Sequence, residues 1–264
     1  MALSLTFLSP LLILSSSHPE MMKNAELYVP SLALKDHLII FVKSVIMSTS
    51  WVMAFYAIKH LPITIVTPIR MTSPFFTLLG ALVLYHERPT PLQWLGFTLI
   101  IFSMYLYSRV GKKEGLDFKR NKWIYAIFAA TFLSACSGLY DKFLLQNCQY
   151  NSQTVLIWFT AYVVLILGIV LAVTYFSSRF EKTKFTWRWS IPLIGIFIVL
   201  SDFFYYRALQ DKEALITLLS AIMRSQVVIV VVVGGWIFKE KNKRKKIIPL
   251  IGVVCGVALI LYSV

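Results

Sequence analysis

The second half of this chain repeats the pattern of the first half, and both halves consist largely of apolar segments. In the first half Ala57 precedes a long apolar stretch that ends near Glu87, and in the second half Ala208 and Glu240 take these places. The offset between matching positions drifts only from 151 residues (Ala57 to Ala208) to 155 near the ends of the halves. A duplicated membrane module is typical of transporters, which bind substrate between the repeats near the middle of the membrane.

The composition indicates an integral membrane protein. Hydrophobic residues make up 58% of the chain and charged residues 14%, whereas soluble domains carry roughly 25% charged residues. A helix needs about 20 mainly apolar residues to cross the hydrocarbon core, and open strands cannot satisfy their backbone there. The sequence therefore predicts an all-α fold of about nine transmembrane helices, at 3–17, 37–58, 62–85, 91–108, 123–145, 152–176, 188–209, 214–238 and 247–264.

These segments group into two inverted repeats. We place the first repeat at 1–108, a basic inter-repeat loop at 109–122 and the second repeat at 123–264. Two segments precede the one ending near Ala208, but only one precedes the segment ending near Ala57. We therefore expect the first repeat to be short of its first helix, either because the start codon is assigned too late or because the helix is absent. The short segment 3–17 contains Pro10, and the sequence leaves open a true span or a signal peptide.

The charged loops predict the orientation in the membrane. Alternate loops, together with Arg188, hold 17 Lys and Arg residues, whereas the remaining loops hold 4. By the positive-inside rule the basic set is cytoplasmic, which places the C-terminus outside. The net charge of +14 therefore reflects topology, and we expect no nucleic-acid partner.

A family resemblance follows from the first repeat. Ala57, the turn at Leu61-Pro62, a Thr-rich helix with Pro74, and Glu87 followed by Gln93-Trp94-Leu95-Gly96 resemble the EamA-type module of the drug/metabolite transporter superfamily. The resemblance implies ten helices in two inverted five-helix repeats, cytoplasmic ends, an inner (plasma) membrane location and transport of small metabolites, often outward. The nine visible helices and the external C-terminus depart from this pattern.

Two arginines lie deep within predicted spans. Arg70 and Arg224 are 154 residues apart, within the drift of the repeat, so inverted symmetry places them at matching depths. A rise of 1.5 Å per residue puts each roughly 12–15 Å into the membrane. We predict that both face a central cavity and bind a carboxylate or phosphate, for which guanidinium groups are suited. The alternative is structural, with each arginine paired to a nearby acid or capping exposed carbonyls.

Other charged residues lie within the spans. Asp202 is the candidate proton carrier, because a buried carboxylate can take up a proton; the alternative is a salt bridge to Arg224 or Lys43 that keeps it charged. Lys43 is a candidate cavity residue that could instead reach the membrane surface. We expect Asp141 and Lys142 to anchor a helix end at the surface.

Proline and polar residues surround Arg70. Pro68 and Pro74 flank it and are predicted hinges, since proline breaks the helical hydrogen-bond ladder and such breaks are tolerated where they line a cavity. Serine and threonine also bond their own helix backbone, so part of this polarity could be local. The remaining predicted substrate contacts are Trp51, Thr67, Thr72, Ser73, Tyr206 and Gln226.

For the small residues and for two glutamates we expect structural roles. Gly252 and Gly256 are one helical turn apart and favour close helix packing. Glu87 and Glu240 end equivalent helices, where we expect them to bond nearby backbone or the neighbouring cations Arg88 and Lys239; the alternative is a gating role.

The sequence thus predicts a secondary transporter for small metabolites, with anionic or zwitterionic solutes favoured and alternating access between the repeats. The alternative is a non-transporting scaffold subunit or a truncated relic of a transporter. We find no catalytic motif, no metal-ligand spacing and no cofactor motif, so we expect no enzyme. The predicted partners are a small solute and the lipid bilayer, with proton coupling and a homodimer left open.

Overall fold

The computed structural model describes most of the chain up to residue 224 and short stretches near its end. The described residues are 1–24, 27–61, 66, 69–70, 72–111, 121–176, 186–224, 251–252, 254–256, 258–259 and 262. The side chains of residues 24, 104, 107–111 and 224 lie outside this description. Regular secondary structure in these parts of the chain is helical throughout, as predicted.

Nine helices have defined bounds within the described ranges. They are α1 (Ala2–Ser17), α2 (Pro19–Asn24), α3 (Leu34–His60), α4 (Ser73–Leu84), α5 (Pro91–Gly111), α6 (Lys122–Lys142), α7 (Ser152–Phe176), α8 (Ser190–Leu209) and α9 (Ile216–Arg224). A π-helical turn, Phe143–Asn147, extends α6. The short helix α2 and the π-turn were not predicted from the sequence.

Four helices in the described part of the chain are long and apolar enough to cross a membrane. They are Leu34–His60, Lys122–Asn147, Ser152–Phe176 and Ser190–Leu209, and three shorter apolar helices accompany them. Large apolar side chains are exposed on these helices, including Leu171 (69%) on α7 and Phe197 (66%) on α8. Exposed apolar surface of this extent suits contact with lipid. The predicted total of nine spans extends beyond the described residues and stays a prediction.

The chain divides into two compact units. Unit 1 comprises Met1–Ser48 and Tyr140–Lys212, and unit 2 comprises Thr49–Leu139 and Glu213–Val264. Each unit therefore takes residues from both halves of the sequence. The predicted repeats, 1–108 and 123–264, are each continuous in sequence, whereas each compact unit combines two separate segments of the chain.

In unit 1, α1 packs against α7 and α8. The hydroxyl of Ser4 on α1 donates to the carbonyl of Gly195 on α8 over 3.2 Å, and Ser4 is buried. The hydroxyl of Ser15 accepts from the backbone N–H of Val29 over 3.2 Å. The segment that the sequence left open as a span or a signal peptide is thus an integral part of unit 1.

In unit 2, α9 packs against α4 and α5. Their apolar faces meet in a core formed by Leu78, Phe97, Ile100, Leu218 and Ala221. A second core joins residues of α3 and α6, including Ala57, which is fully buried, and Ile127. The first core holds α4 and α9 together. Arg70 and Glu87 lie just before and just after α4, and Arg224 is the last residue of α9.

Glycines near the C-terminus permit close helix packing in unit 2, as the sequence predicted. A Cβ atom on Gly256 would lie 2.7 Å from the carbonyl oxygen of Gly96 on α5, and a Cβ atom on Gly252 would collide with the hydroxyl of Ser103. Only a residue without a side chain fits such a close approach.

Candidate functional site

A buried ion pair lies in the interior of unit 1. The ammonium of Lys43 on α3 contacts the carboxylate of Asp141 on α6, and their side chains are only 1% and 7% exposed. Ile40, Lys43 and Ser44 are all buried. Lys43 and Ser44 follow Ile40 by three and four residues, the spacing that places side chains on one face of an α-helix. The pair is needed there, because an uncompensated charge is costly inside a membrane protein.

This pair corrects the sequence interpretation of Asp141 and Lys142. Both were expected to anchor a helix end at the membrane surface, but they are only 5% and 6% exposed. Asp141 was missed as a site residue because its partner lies on another helix. Its place within the predicted span 123–145 was the one available signal.

Aromatic residues complete the surroundings of Lys43. Its ammonium donates to the hydroxyl of Tyr206 on α8 and lies 3.8 Å from the ring centroid of Phe159 on α7. A cation over an aromatic face is attracted by the ring quadrupole, more strongly where water is excluded. Tyr205 donates a longer bond of 3.4 Å to Asp141. The predicted residues Lys43 and Tyr206 thus belong to one cluster.

Asp202 is the second carboxylate of this cluster. It lies one helical turn before Tyr206 on α8 and is half-buried. It is attracted electrostatically by Lys43 and repelled by Asp141. Within the described ranges it forms neither an ion pair nor a hydrogen bond, since Lys43 is engaged by Asp141. The cluster therefore combines one ammonium with two carboxylates.

Arg70 lies in unit 2 and is half-buried. Among the residues that the structure describes, its guanidinium has no hydrogen-bond or ion-pair partner. Arg224 is the last residue of α9, and its side chain lies outside the described part of the chain. The predicted convergence of the two arginines therefore stays a prediction.

The polar residues after Arg70 mark the start of α4. The hydroxyl of Thr72 donates to the carbonyl of Ile69 over 2.7 Å, so Thr72 bonds its local backbone, as the alternative interpretation allowed. Ser73 is buried, and Pro74 occupies the first turn of α4, where its missing N–H leaves no helical bond unmade. The roles of Ser73 in binding and of Pro74 as a hinge stay predictions.

The remaining predicted contacts are placed as follows. Trp51 is half-buried on α3 within unit 2. Thr67, Pro68 and Gln226 lie outside the described residues, as does Glu240.

Glu87 forms a buried cap on α9 within unit 2. Its carboxylate accepts from the backbone N–H of Ile216 over 2.8 Å, from the N–H of Thr217 over 3.3 Å and from the hydroxyl of Thr217 over 2.6 Å. The first N–H groups of a helix lack partners within it, and a carboxylate is favoured at this positive end. The sequence predicted that Glu87 bonds backbone close to it in the chain. The structure shows that it bonds backbone, but that of another helix.

The comparisons with known proteins bear on this arrangement. The model of the EamA-like transporter family matches residues 1–109 and 121–262, which is nearly the whole chain. The chain belongs to the EamA-like transporter family. A comparison with curated proteins found no match.

Membership of the EamA-like family confirms the resemblance found in the sequence. This EamA-like chain is a multi-pass membrane protein of the drug/metabolite transporter type, with apolar helices long enough to span a bilayer. The family consists of transporters rather than enzymes.

Proposed function

We propose that this protein is a secondary transporter for small solutes that carry a carboxylate or phosphate group, anionic or zwitterionic overall, and that Arg70 binds this group. One contrast supports the proposal. The charge of Lys43 is matched by Asp141, whereas the half-buried guanidinium of Arg70 has no partner within the described ranges. A charged arginine in a span costs about 2.5–3.5 kcal/mol at the helix centre, and a bound anion would offset that cost.

The buried charges narrow the solute class. Within the predicted spans the cationic residues Lys43, Arg70 and Arg224 outnumber the acidic residue Asp202. The buried neighbours Asp141 and Lys142 add one charge of each sign, so cationic residues stay in excess. This excess favours an anion or a zwitterion over a cationic drug.

We further propose that Asp202 carries the coupling proton. Its alternative role was a salt bridge to Arg224 or Lys43. Lys43 is paired with Asp141, and the side chain of Arg224 lies outside the described residues. Asp202 lies beside an already neutralised pair, so a proton is the simplest species to compensate its charge. Proton movement would then drive alternating access and, at the plasma membrane, outward transport.

Transport by purified protein in vesicles tests the solute proposal. A panel of amino acids, organic acids and sugar phosphates is screened by counterflow against preloaded solute, which needs no ion gradient. We expect Arg70→Ala to abolish exchange and Arg70→Lys to retain part of it, since lysine keeps the charge but loses the guanidinium fork. Arg188→Ala removes an exposed guanidinium and serves as the control. Unchanged exchange in Arg70→Ala would refute the proposal.

Asp202→Asn tests the coupling in the same vesicles. We expect the variant to retain counterflow but to lose accumulation driven by a pH gradient, because asparagine cannot carry a proton. Accumulation at the normal level would exclude Asp202 as the proton carrier. Absence of exchange for every solute with the native protein would favour a scaffold role instead.

A further inference from the structure

The end of α3 and the start of α6 meet in unit 2 and bring basic side chains together. Lys59 and His60 are the last two residues of α3, and Lys122 is the first residue of α6; all three are exposed. We call these residues, together with Trp123, the basic cluster. Neither lysine has an ion-pair partner within the described ranges. The cluster therefore presents positive charge that the described part of the chain does not neutralise.

Trp123 holds the cluster in a defined arrangement. The imidazole ring of His60 stacks on the indole ring of Trp123, with the ring centroids 3.8 Å apart and an angle of 8° between the ring planes. The ammonium of Lys122 lies 5.1 Å from the centroid of an indole ring, that of Trp123, within the distance at which an aromatic face attracts a cation. Trp123 itself packs against the core that joins α3 and α6. The basic groups are thus held around one aromatic side chain.

His60 can add a hydrogen-bond donor to the cluster. Its Nδ1 atom lies 2.8 Å from the backbone carbonyl oxygen of Tyr56. Because a carbonyl only accepts, Nδ1 carries the hydrogen of the neutral ring. Nε2 then donates as well once the ring takes up a proton, and an anion bound between His60 and the lysines would favour that proton uptake.

An exposed apolar face continues from the cluster along α6. Tyr125, Phe128 and Phe132 are exposed, and their spacing of three and four residues places them on one face of the helix. On α3, Phe55 and Ile58 are exposed near the end of the helix. Exposed apolar surface of this kind suits contact with lipid chains, and the basic cluster lies where the headgroup of such a lipid would be.

The cluster lies on the side of the membrane that the charge distribution assigns to the cytoplasm. The connecting sequence 109–121 holds five Lys and Arg residues and two acidic residues, so its own acids are already outnumbered. Anionic lipids give the cytoplasmic leaflet a negative surface potential, and basic pockets between membrane helices bind their headgroups. A soluble anion would use the charges alone, whereas a phospholipid would also cover the apolar face.

We infer that the basic cluster binds the phosphate of an anionic phospholipid such as phosphatidylglycerol, with the acyl chains along the exposed face of α6. The bound lipid would join the end of α3 to the start of α6. This inference goes beyond the proposed function and is independent of it, because it concerns the lipid-facing surface of unit 2 and not the solute.

Lipid binding to the purified full-length protein in detergent tests this inference. Complexes with phosphatidylglycerol and with phosphatidylcholine of the same acyl chains are counted by native mass spectrometry. We expect phosphatidylglycerol to bind more tightly, and Lys59→Gln and Lys122→Gln each to weaken its binding about fivefold, the effect expected of one basic residue near an anionic surface. Lys122→Arg keeps the charge and should bind at least as well as the native protein. Equal affinity of the native protein for the two lipids would overturn the inference.

Lys35→Gln is the matched control, because Lys35 is exposed near the other end of α3 and lies outside the cluster. It should leave phosphatidylglycerol binding unchanged, and the exposed lysines should all be replaceable without a change in the helical spectrum. An equal loss in Lys35→Gln and Lys122→Gln would show that binding depends on net charge alone and would refute the cluster. Glycerophosphoglycerol, the headgroup without acyl chains, should bind far more weakly than the lipid. Equal binding of the two compounds would assign the cluster to a soluble anion instead.

Arg70→Ala separates this surface from the proposed solute site. The variant should lose exchange but keep its preference for phosphatidylglycerol. Normal exchange in Arg70→Ala, with weakened lipid binding in both lysine variants, would refute the proposed function and leave this inference standing. Loss of the lipid preference in Arg70→Ala, with full binding in Lys59→Gln and Lys122→Gln, would place the lipid at Arg70 and refute the inference.

Discussion

Lys43 on α3 and Asp141 on α6 form an ion pair in the interior of unit 1, with side chains 1% and 7% exposed. The ammonium also donates to Tyr206 and lies over the ring of Phe159. The ammonium of Lys43 therefore contacts side chains of three other helices, α6, α7 and α8. The pair neutralises Asp141 and thereby sets Asp202 apart as a second carboxylate with no ion-pair partner in the described part of the chain.

Lys43→Met tests how much this pair contributes to the stability of the protein. The substitution leaves Asp141 buried and uncompensated, and breaking a buried pair by removing one partner typically costs about 3–5 kcal/mol. We expect a clear fall in the thermal unfolding temperature of the protein in detergent. The double variant Lys43→Met with Asp141→Leu should recover much of the loss, because no buried charge remains.

Lys35→Met is the matched control for this prediction. Lys35 is exposed at the start of the same helix, so its replacement should change stability by no more than about 0.5 kcal/mol. Equal effects of the two lysine variants would contradict a special role for the buried pair.

The helices were predictable from the sequence, but the partner of Lys43 was not. Length and apolarity alone indicate a span, and these properties located α3, α7 and α8 closely. Which side chains meet depends on the rotation of each helix about its axis, and the weak amphipathicity of a lipid-embedded helix does not reveal that rotation. Asp141 was therefore read as a surface residue, although its own helix was correctly predicted.

The same limit applies to Glu87. Its position after α4 predicted a bond to backbone, and the structure confirms this kind of bond. The recipient is α9, which is remote in the sequence, because the packing of α9 on α4 brings Ile216 to the carboxylate. Such a contact follows from tertiary packing and has no local sequence signal.

Glu87→Ala should loosen the start of α9. The change leaves the N–H groups of Ile216 and Thr217 without their acceptor in a buried position, at a cost of about 1–3 kcal/mol for an unsatisfied group. We expect a lower unfolding temperature and faster hydrogen exchange at these two amides. Thr217→Val removes only the hydroxyl bond and should cost less.

The exposed residue Glu20 provides the control for the cap. Its pairing with Lys23 at the surface predicts almost no effect of Glu20→Ala on stability. If Glu87→Ala left hydrogen exchange at Ile216 unchanged, the cap would not contribute to the stability of α9.

Tyr150 predicts a pH dependence outside the membrane spans. Its hydroxyl donates to the carboxylate of Asp36 over 2.5 Å, and burial, followed by this bond and the charge of Asp36, raises the pKa of Tyr150. The unfolded chain then releases the phenol proton before the folded protein does. The associated stability is fully present below the ordinary tyrosine pKa near 10 and is lost as the pH rises above it.

Alkaline unfolding of the native protein and of Tyr150→Phe checks this sign. The native protein should lose stability more steeply above about pH 10, because phenylalanine has no proton to release. Asp36→Asn should lower the pKa of Tyr150 towards its ordinary value, measured by tyrosinate absorbance. Parallel alkaline profiles for the native protein and Tyr150→Phe would be inconsistent with the hydrogen bond.

Two glycines should respond to alanine in opposite directions. A Cβ atom on Gly256 would lie 2.7 Å from the backbone oxygen of Gly96 and 2.6 Å from a side-chain carbon of Ile100, whereas a Cβ atom on Gly168 would meet nothing within 4 Å. Gly256→Ala should therefore force helices apart in unit 2, at about 1–3 kcal/mol for overpacking. Gly168→Ala, within α7, should stabilise the protein by about 0.5–1 kcal/mol, because alanine loses less backbone entropy in a helix. Thermal unfolding in detergent measures both, and a stabilised Gly256→Ala variant would show that the helices do not approach this closely.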